Sequence, residues 1–183
     1  AYFNRGNLYN DFQNLEKALL DYNKAVTLNP NFTLAYNLIG VINYKLLRHS
    51  IAIENYKKAI SLKENFEEAH YNLGTLFNTI NRLDEALECF KKAIFYNSDY
   101  FECYNNIGII YEKLGKLTLA EKSYKKAIEL NPNFIVAYYN LSQIKTFKSD
   151  DQLVSQMKEL ILDKSLDTEK SCYLNFALAK AQE

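Results

Sequence analysis

The chain has 183 residues, and 22 Lys plus Arg balance 22 Asp plus Glu, for a formal net charge of zero. That balance supplies no long-range field to draw in nucleic acid, an acidic membrane surface or a charged substrate. Cys89, Cys103 and Cys172 are odd in number, far apart and without C-x-x-C spacing. Such thiols fit a reduced, intracellular setting, and the expected location is cytoplasmic. No apolar run approaches the ~18 residues of a membrane span, and no signal peptide is visible.

A strict period of 34 residues organises the sequence. Gly6, Gly40, Gly74 and Gly108 keep step with Ala18, Ala52, Ala86 and Ala120, and with Ala25, Ala59, Ala93 and Ala127. Aromatics hold the same beat at Tyr22, Tyr56, Phe90 and Tyr124, and again at Phe32, Phe66, Tyr100 and Phe134. A fixed period of this length means a solenoid or an array rather than a single globular core.

The first copy spans residues 1–32 and the second 33–66. In the third, 67–100, His70, Leu73, Gly74 and Phe77 fall on one face of a first helix. Asn81-Arg82-Leu83-Asp84 then forms a turn, and Asp84 is the expected cap of a second helix. Ala86, Leu87, Phe90, Ala93 and Ile94 line that helix's inner face. Gly74 and Ala86 lack bulk, so the two helices can approach and Phe90 fills the space beside them. Leucine at Gly74 is expected to overpack. The fourth copy spans 101–134, with Gly115 in its inter-helix turn, where a positive φ is useful. A divergent fifth follows at 135–169, with Ser142 in the glycine slot. Ser149, Asp150 and Asp151 are expected to cap its second helix, through about Leu162. Ser165 or Asp167 opens a last helix, 170–183, the first helix of a degenerate sixth copy or a capping helix. Ala1 falls at the third position of a copy and Glu183 inside a helical pattern. A piece of a longer chain is therefore expected, its edges covered by flanking residues or a partner.

These features resemble the tetratricopeptide repeat (TPR) family, with Pro30 and Pro132 at the family's proline position and Glu64 and Ser98 replacing it in the middle copies. The resemblance implies an all-α fold, a right-handed superhelix of antiparallel helix pairs, with a concave groove that binds protein segments. Asn4, Asn72, Asn106 and Asn140 each stand two residues before the glycine slot. Leu38 interrupts this row beside Asn37. An amide offers both donors and acceptors, so the row could hold the backbone of an extended peptide; it is similar to the asparagine ladder of O-GlcNAc transferase repeats. Packing support between helices is the competing role. Tyr44, Glu68, Tyr71 and Thr75 are expected to line the groove beside it, as are Glu102, Asn105 and Ile109, and then Tyr139 and Gln143. The stretch at Glu68 and Glu102 would favour a basic or neutral ligand. Phe3, Asn37, Glu68 and Glu102 stand where clamps for chaperone tails carry cations, which argues against that ligand.

The sequence offers little for catalysis. His49 and His70 are the only histidines, read as turn and packing residues. No H-E-x-x-H, phosphate loop or G-x-G-x-x-G is present, and no cofactor or metal is expected. Cys103 replaces the small residues Ala35, Ala69 and Ala137 and is read as packing, whereas Cys89 aligns with Asn55 and Ser123 and is expected to be exposed. Neutral charge argues against RNA-reading repeats. The leading function is a non-catalytic scaffold for a peptide or protein. Alternatives are the recognition arm of a larger enzyme, a sulfotransferase or glycosyltransferase, and self-association through uncapped ends. The stretch from Ser142 onward weakly resembles bacterial fusions of these repeats to sulfotransferases.

Overall fold

The computed structural model describes residues 1–147, 151–163 and 166–180. Among them the regular structure is helical, in eleven segments. Two compact units divide the chain, Ala1–Ser98 and Asp99–Glu183.

The first unit holds three helix pairs: α1 (Tyr2–Asp11) with α2 (Leu15–Leu28), α3 (Thr33–Lys45) with α4 (His49–Leu62), and α5 (Glu67–Thr79) with α6 (Leu83–Tyr96). Each second helix also packs on the next first helix, α2 on α3 and α4 on α5. Every signature alanine of these pairs is buried, from Ala18 and Ala25 to Ala86 and Ala93. The glycines show why. A Cβ on Gly6 would lie 2.7 Å from the Tyr22 ring, on Gly40 2.6 Å from Tyr56, and on Gly74 2.9 Å from Phe90. Real Cβ atoms do not approach ring carbons this closely, so the aromatic of each second helix occupies the volume that a side chain would take. Glycine in a helix costs ~1 kcal/mol of propensity relative to alanine. Burying the whole ring offsets that, at about 1.5–3 kcal/mol for a large apolar side chain.

The second unit repeats the device once. In α7 (Phe101–Lys113) a Cβ on Gly108 would meet Tyr124 of α8 (Leu117–Leu130) at 2.4 Å. Three further helices follow: α9 (Ile135–Ile144), α10 (Gln152–Leu160) and α11 (Thr168–Lys180). Ser142 stands in the glycine slot of α9, buried, with its hydroxyl donating to the Tyr139 carbonyl. Here α9 packs chiefly on α8 and α11. From α10, Val154 and Met157 enter the same core as Tyr138, Leu141, Leu174 and Ala177. Asp151 caps α10 by accepting the Leu153 N–H, and Asp167 accepts the Lys170 N–H at the start of α11. The other expected cap residues, Ser149, Asp150 and Ser165, lie outside the described residues.

Asp84 does not cap α6. The helix begins at Leu83 with Arg82 at the N-cap and no side-chain cap bond, so Asp84 already sits in the first turn. The cause is the turn itself. Gln13, Leu47, Asn81 and Gly115, again 34 residues apart, all adopt positive φ. The N–H of each following residue bonds five residues back, Asn14 to Tyr9, Arg48 to Asn43, Arg82 to Phe77 and Lys116 to Tyr111. This is the Schellman termination, which reverses the chain within three residues. It delivers the next helix one residue earlier than a carboxylate-capped start would. Asn14 alone among the four second helices of this type caps through its side chain, accepting the Lys17 N–H at 3.3 Å.

This packing makes two outcomes testable. Gly108→Ala should lower unfolding stability by about 1–3 kcal/mol through overpacking against Tyr124, read as a fall in the denaturant midpoint; an unchanged midpoint would show that the ring can move aside. Leu47 is exposed and left-handed, so Leu47→Gly should gain about 1 kcal/mol, whereas Gly115→Ala, with open space around its Cβ, should lose a similar amount.

Candidate functional site

The candidate site lies on the first helices, and the structure sorts its asparagines into two roles. In unit 1, Asn37 is fully buried. Its amide donates to Glu68 Oε1 at 3.0 Å, and its carbonyl accepts from Asn72 Nδ2 at 3.1 Å. Unit 2 repeats the second of these bonds: Asn140 Nδ2 donates to the buried Asn105 Oδ1 at 2.9 Å. Asn37 and Asn105, expected on the groove surface, therefore lie beneath it. A buried amide must find partners, and the next repeat supplies them.

Of the row itself, Asn72, Asn106 and Asn140 are half-buried and Asn4 is exposed. Asn72 and Asn140 are each oriented by a buried partner. Asn4 and Asn106 make no side-chain hydrogen bond among the described residues, so their amides face water or a ligand.

Around the row in unit 1, Tyr71 and Thr75 are half-buried and Glu68 is exposed. The Thr75 hydroxyl donates to the Tyr71 carbonyl, and the Tyr44 hydroxyl meets Thr79 Oγ1 at 2.9 Å, joining the ends of α3 and α5. In unit 2, Glu102 and Ile109 are half-buried beside Asn106, and Gln143 is exposed near Tyr139. Tyr139 packs on two aromatics of α11, Tyr173 at 4.7 Å and Phe176 at 5.4 Å between ring centroids. The sequence reading did not include these two in the site. The signal was present, since Tyr173 stands 34 residues after Tyr139.

Several second-helix rings reach under this face. The Tyr22 hydroxyl donates to Asn7 Oδ1 and the Tyr124 hydroxyl to Glu112 Oε2, each at 2.8 Å. Burial pushes the Tyr22 phenol up to about 12, and burial with the Glu112 bond raises Tyr124 further. Both remain neutral donors at physiological pH.

For chemistry the arrangement holds little. His70 is buried, with Nε2 2.9 Å from the Glu64 carbonyl oxygen and its ring beside Tyr96. His49 is the first residue of α4, and its Nε2 is buried without a hydrogen-bond partner among the described residues. No group of three or more His, Cys, Asp or Glu able to hold a metal occurs among the described residues. No described helix is long and apolar enough to cross a membrane.

The tetratricopeptide repeat model matches residues 1–32 and 101–134, and a second TPR repeat model matches 49–79 and 76–115. The chain belongs to the tetratricopeptide repeat family. Solved structures of TPR-like fold align over nearly the whole chain. MamA is 24% identical, covering 97% of this chain and 94% of its own, with a TM-score of 0.72. TTC0263, a thermophilic TPR protein of Thermus thermophilus, is 19% identical, with 97% of each chain covered and a TM-score of 0.73. YrrB, described as a TPR protein with an unusual peptide-binding site, is 22% identical, covering 100% of this chain and 86% of its own at a TM-score of 0.68. No curated protein matches the sequence significantly. The TPR pattern is carried by the Gly–aromatic contacts already described; the site residues vary from copy to copy.

The cysteines differ from expectation at one place. Cys103 is buried and Cys172 exposed, but Cys89 is half-buried, not exposed. Its Cβ lies 3.2 Å from where a Cβ on Gly74 would be, because the close helix approach draws position 89 inward. Burial pushes the Cys89 thiol up to about 12 and Cys103 higher still. A thiol reagent at mildly alkaline pH should therefore label Cys172 first and Cys89 slowly. Cys103 should react only on unfolding. Mass mapping of labelled peptides would check the order, and early labelling of Cys103 would contradict its buried slot.

Proposed function

We propose that this TPR chain is a non-catalytic interaction module that holds an extended peptide along the first helices of its repeats. The observation that carries the reading is the division of labour among the asparagines. Asn37 and Asn105 are buried orienters, and they fix Asn72 and Asn140 before any ligand arrives. Side chains fixed in advance lose less entropy on binding. Each oriented amide has given its N–H to the buried partner and keeps its oxygen as an acceptor for a peptide N–H. Asn4 and Asn106 remain free to donate and accept. Such contacts grip a backbone while ignoring side-chain identity.

Tyr71 in unit 1 and Tyr139 with its α11 aromatics in unit 2 add large, stiff, amphipathic surface of the kind that dominates interfaces. Glu68 and Glu102 form no ion pair among the described residues, which favours a ligand segment that is neutral or basic. A peptide-binding description of YrrB is consistent with this use of the fold, and the asparagine row retains its likeness to the O-GlcNAc transferase ladder.

The test uses peptides selected on the full chain from a random displayed library. Asn106 has no side-chain partner among the described residues, so Asn106→Ala leaves folding intact; combined with Tyr139→Ala it should weaken a selected peptide by about tenfold or more, ~1.4 kcal/mol. Unchanged affinity in the double variant, measured by calorimetry, would overturn the assignment of this face.

A further inference from the structure

Unit 1 carries a second, separate surface on the side of its second helices. A cleft of about 370 Å³ runs between α4 and α6. Its walls include Lys57 and Ile60 of α4 and Cys89 and Lys92 of α6, and Leu73 and Phe77 of α5 form the floor. Through Glu88 and Lys92 it continues into a shallower hollow of about 250 Å³ beside Phe95.

The other copies of the repeat serve as an internal control on this surface. The residues in register with Phe95 are Thr27, Ser61 and Glu129, and those in register with Cys89 are Asp21, Asn55 and Ser123. Helix pairing therefore does not require an apolar side chain at either place. Yet Phe95 is apolar and 78% exposed. A large ring left in water beside a cleft, where three sister positions are polar, marks an interaction surface rather than a packing need.

Charge decides the chemistry of the occupant. Lys57, Lys91 and Lys92 form no ion pair among the described residues, whereas Glu85 is held by Arg82. Glu88 alone offsets the three lysines, so the rim is positive although the chain is neutral. The geometry excludes an extended strand as the favoured ligand. Both walls are helices whose backbone groups are already bonded, so a strand's N–H and C=O groups would find no backbone partners there. A helix satisfies its own backbone and packs ridge into groove. From Glu85 to Phe95 the α6 wall rises about 15 Å, or about three turns.

We propose that this cleft docks an amphipathic helix of a partner protein, apolar on the face that enters and acidic along its edges. The apolar face would cover Phe95 and the floor at Leu73 and Phe77. Its carboxylates would meet Lys57 and Lys92. This surface is independent of the peptide-holding face of the first helices.

The probe is a designed helical peptide of about 14 residues, with leucines on one stripe and glutamates on both flanks, labelled for fluorescence anisotropy. Saturable binding to the full chain is expected. Phe95→Glu, which installs the residue that its own fourth copy carries at Glu129, should weaken it about tenfold, as should Lys57→Glu combined with Lys92→Glu. Circular dichroism of both variants should match the parent, since all three positions are exposed. Asn106→Ala should have no effect, which separates this site from the first-helix face. The proposal is overturned if the peptide fails to saturate at millimolar concentration. It also falls if a lysine-flanked counterpart binds equally well, or if Phe95→Glu leaves affinity unchanged. A concentration-dependent mass of the chain itself, abolished by Phe95→Glu, would assign the cleft to a second copy and equally overturn it.

Discussion

The contact between a missing side chain and an aromatic ring underlies everything else in this molecule. At Gly6, Gly40, Gly74 and Gly108 the first helix presents bare backbone, and Tyr22, Tyr56, Phe90 and Tyr124 press against it. The interaction is local to each pair, but it fixes the distance between helices and hence which residues reach the outer faces. It also buries the tyrosines deeply enough that their hydroxyls emerge beneath the first-helix face, where Asn7 and Glu112 receive two of them. Packing thus shapes the polar surface from below.

Much of the fold was legible because this contact leaves a periodic trace in the sequence. Small residues, rings and alanines recur without a gap, and periodicity survives even where the proline of the turn is lost at Glu64 and Ser98. The helix starts were less legible. Asp84 looked like a cap because a carboxylate followed a turn-forming asparagine. What ends each first helix is instead a left-handed residue. Only Gly115 advertises that conformation; Gln13 and Leu47 do not. Cys89 misled for a related reason. Its counterparts are polar, but exposure at that place depends on how closely the neighbouring helix approaches, which no single residue encodes.

The site was legible in type but not in depth. Asparagines at one helical position were visible as a row, and neighbouring Asn37 and Asn105 looked like additions to it. Burial separates them: a shift of one residue along a helix turns a side chain by about 100°, enough to move it from the surface to the joint between repeats. Tyr173 and Phe176 were missed because the sixth copy has lost its glycine and alanines, so the period no longer points to the residues that remain in step.

The buried amide bonds also carry a longer rhythm than the packing does. Along the position that includes Asn37, the chain reads Phe3, Asn37, Tyr71, Asn105, Tyr139, and the following position answers Asn37 with Asn72 and Asn105 with Asn140. Ring and amide alternate, so the smallest piece that could be duplicated or excised without stranding an amide against an aromatic is a pair of copies, not one. Lengthening such a protein by a single repeat would satisfy every glycine and still break its grammar.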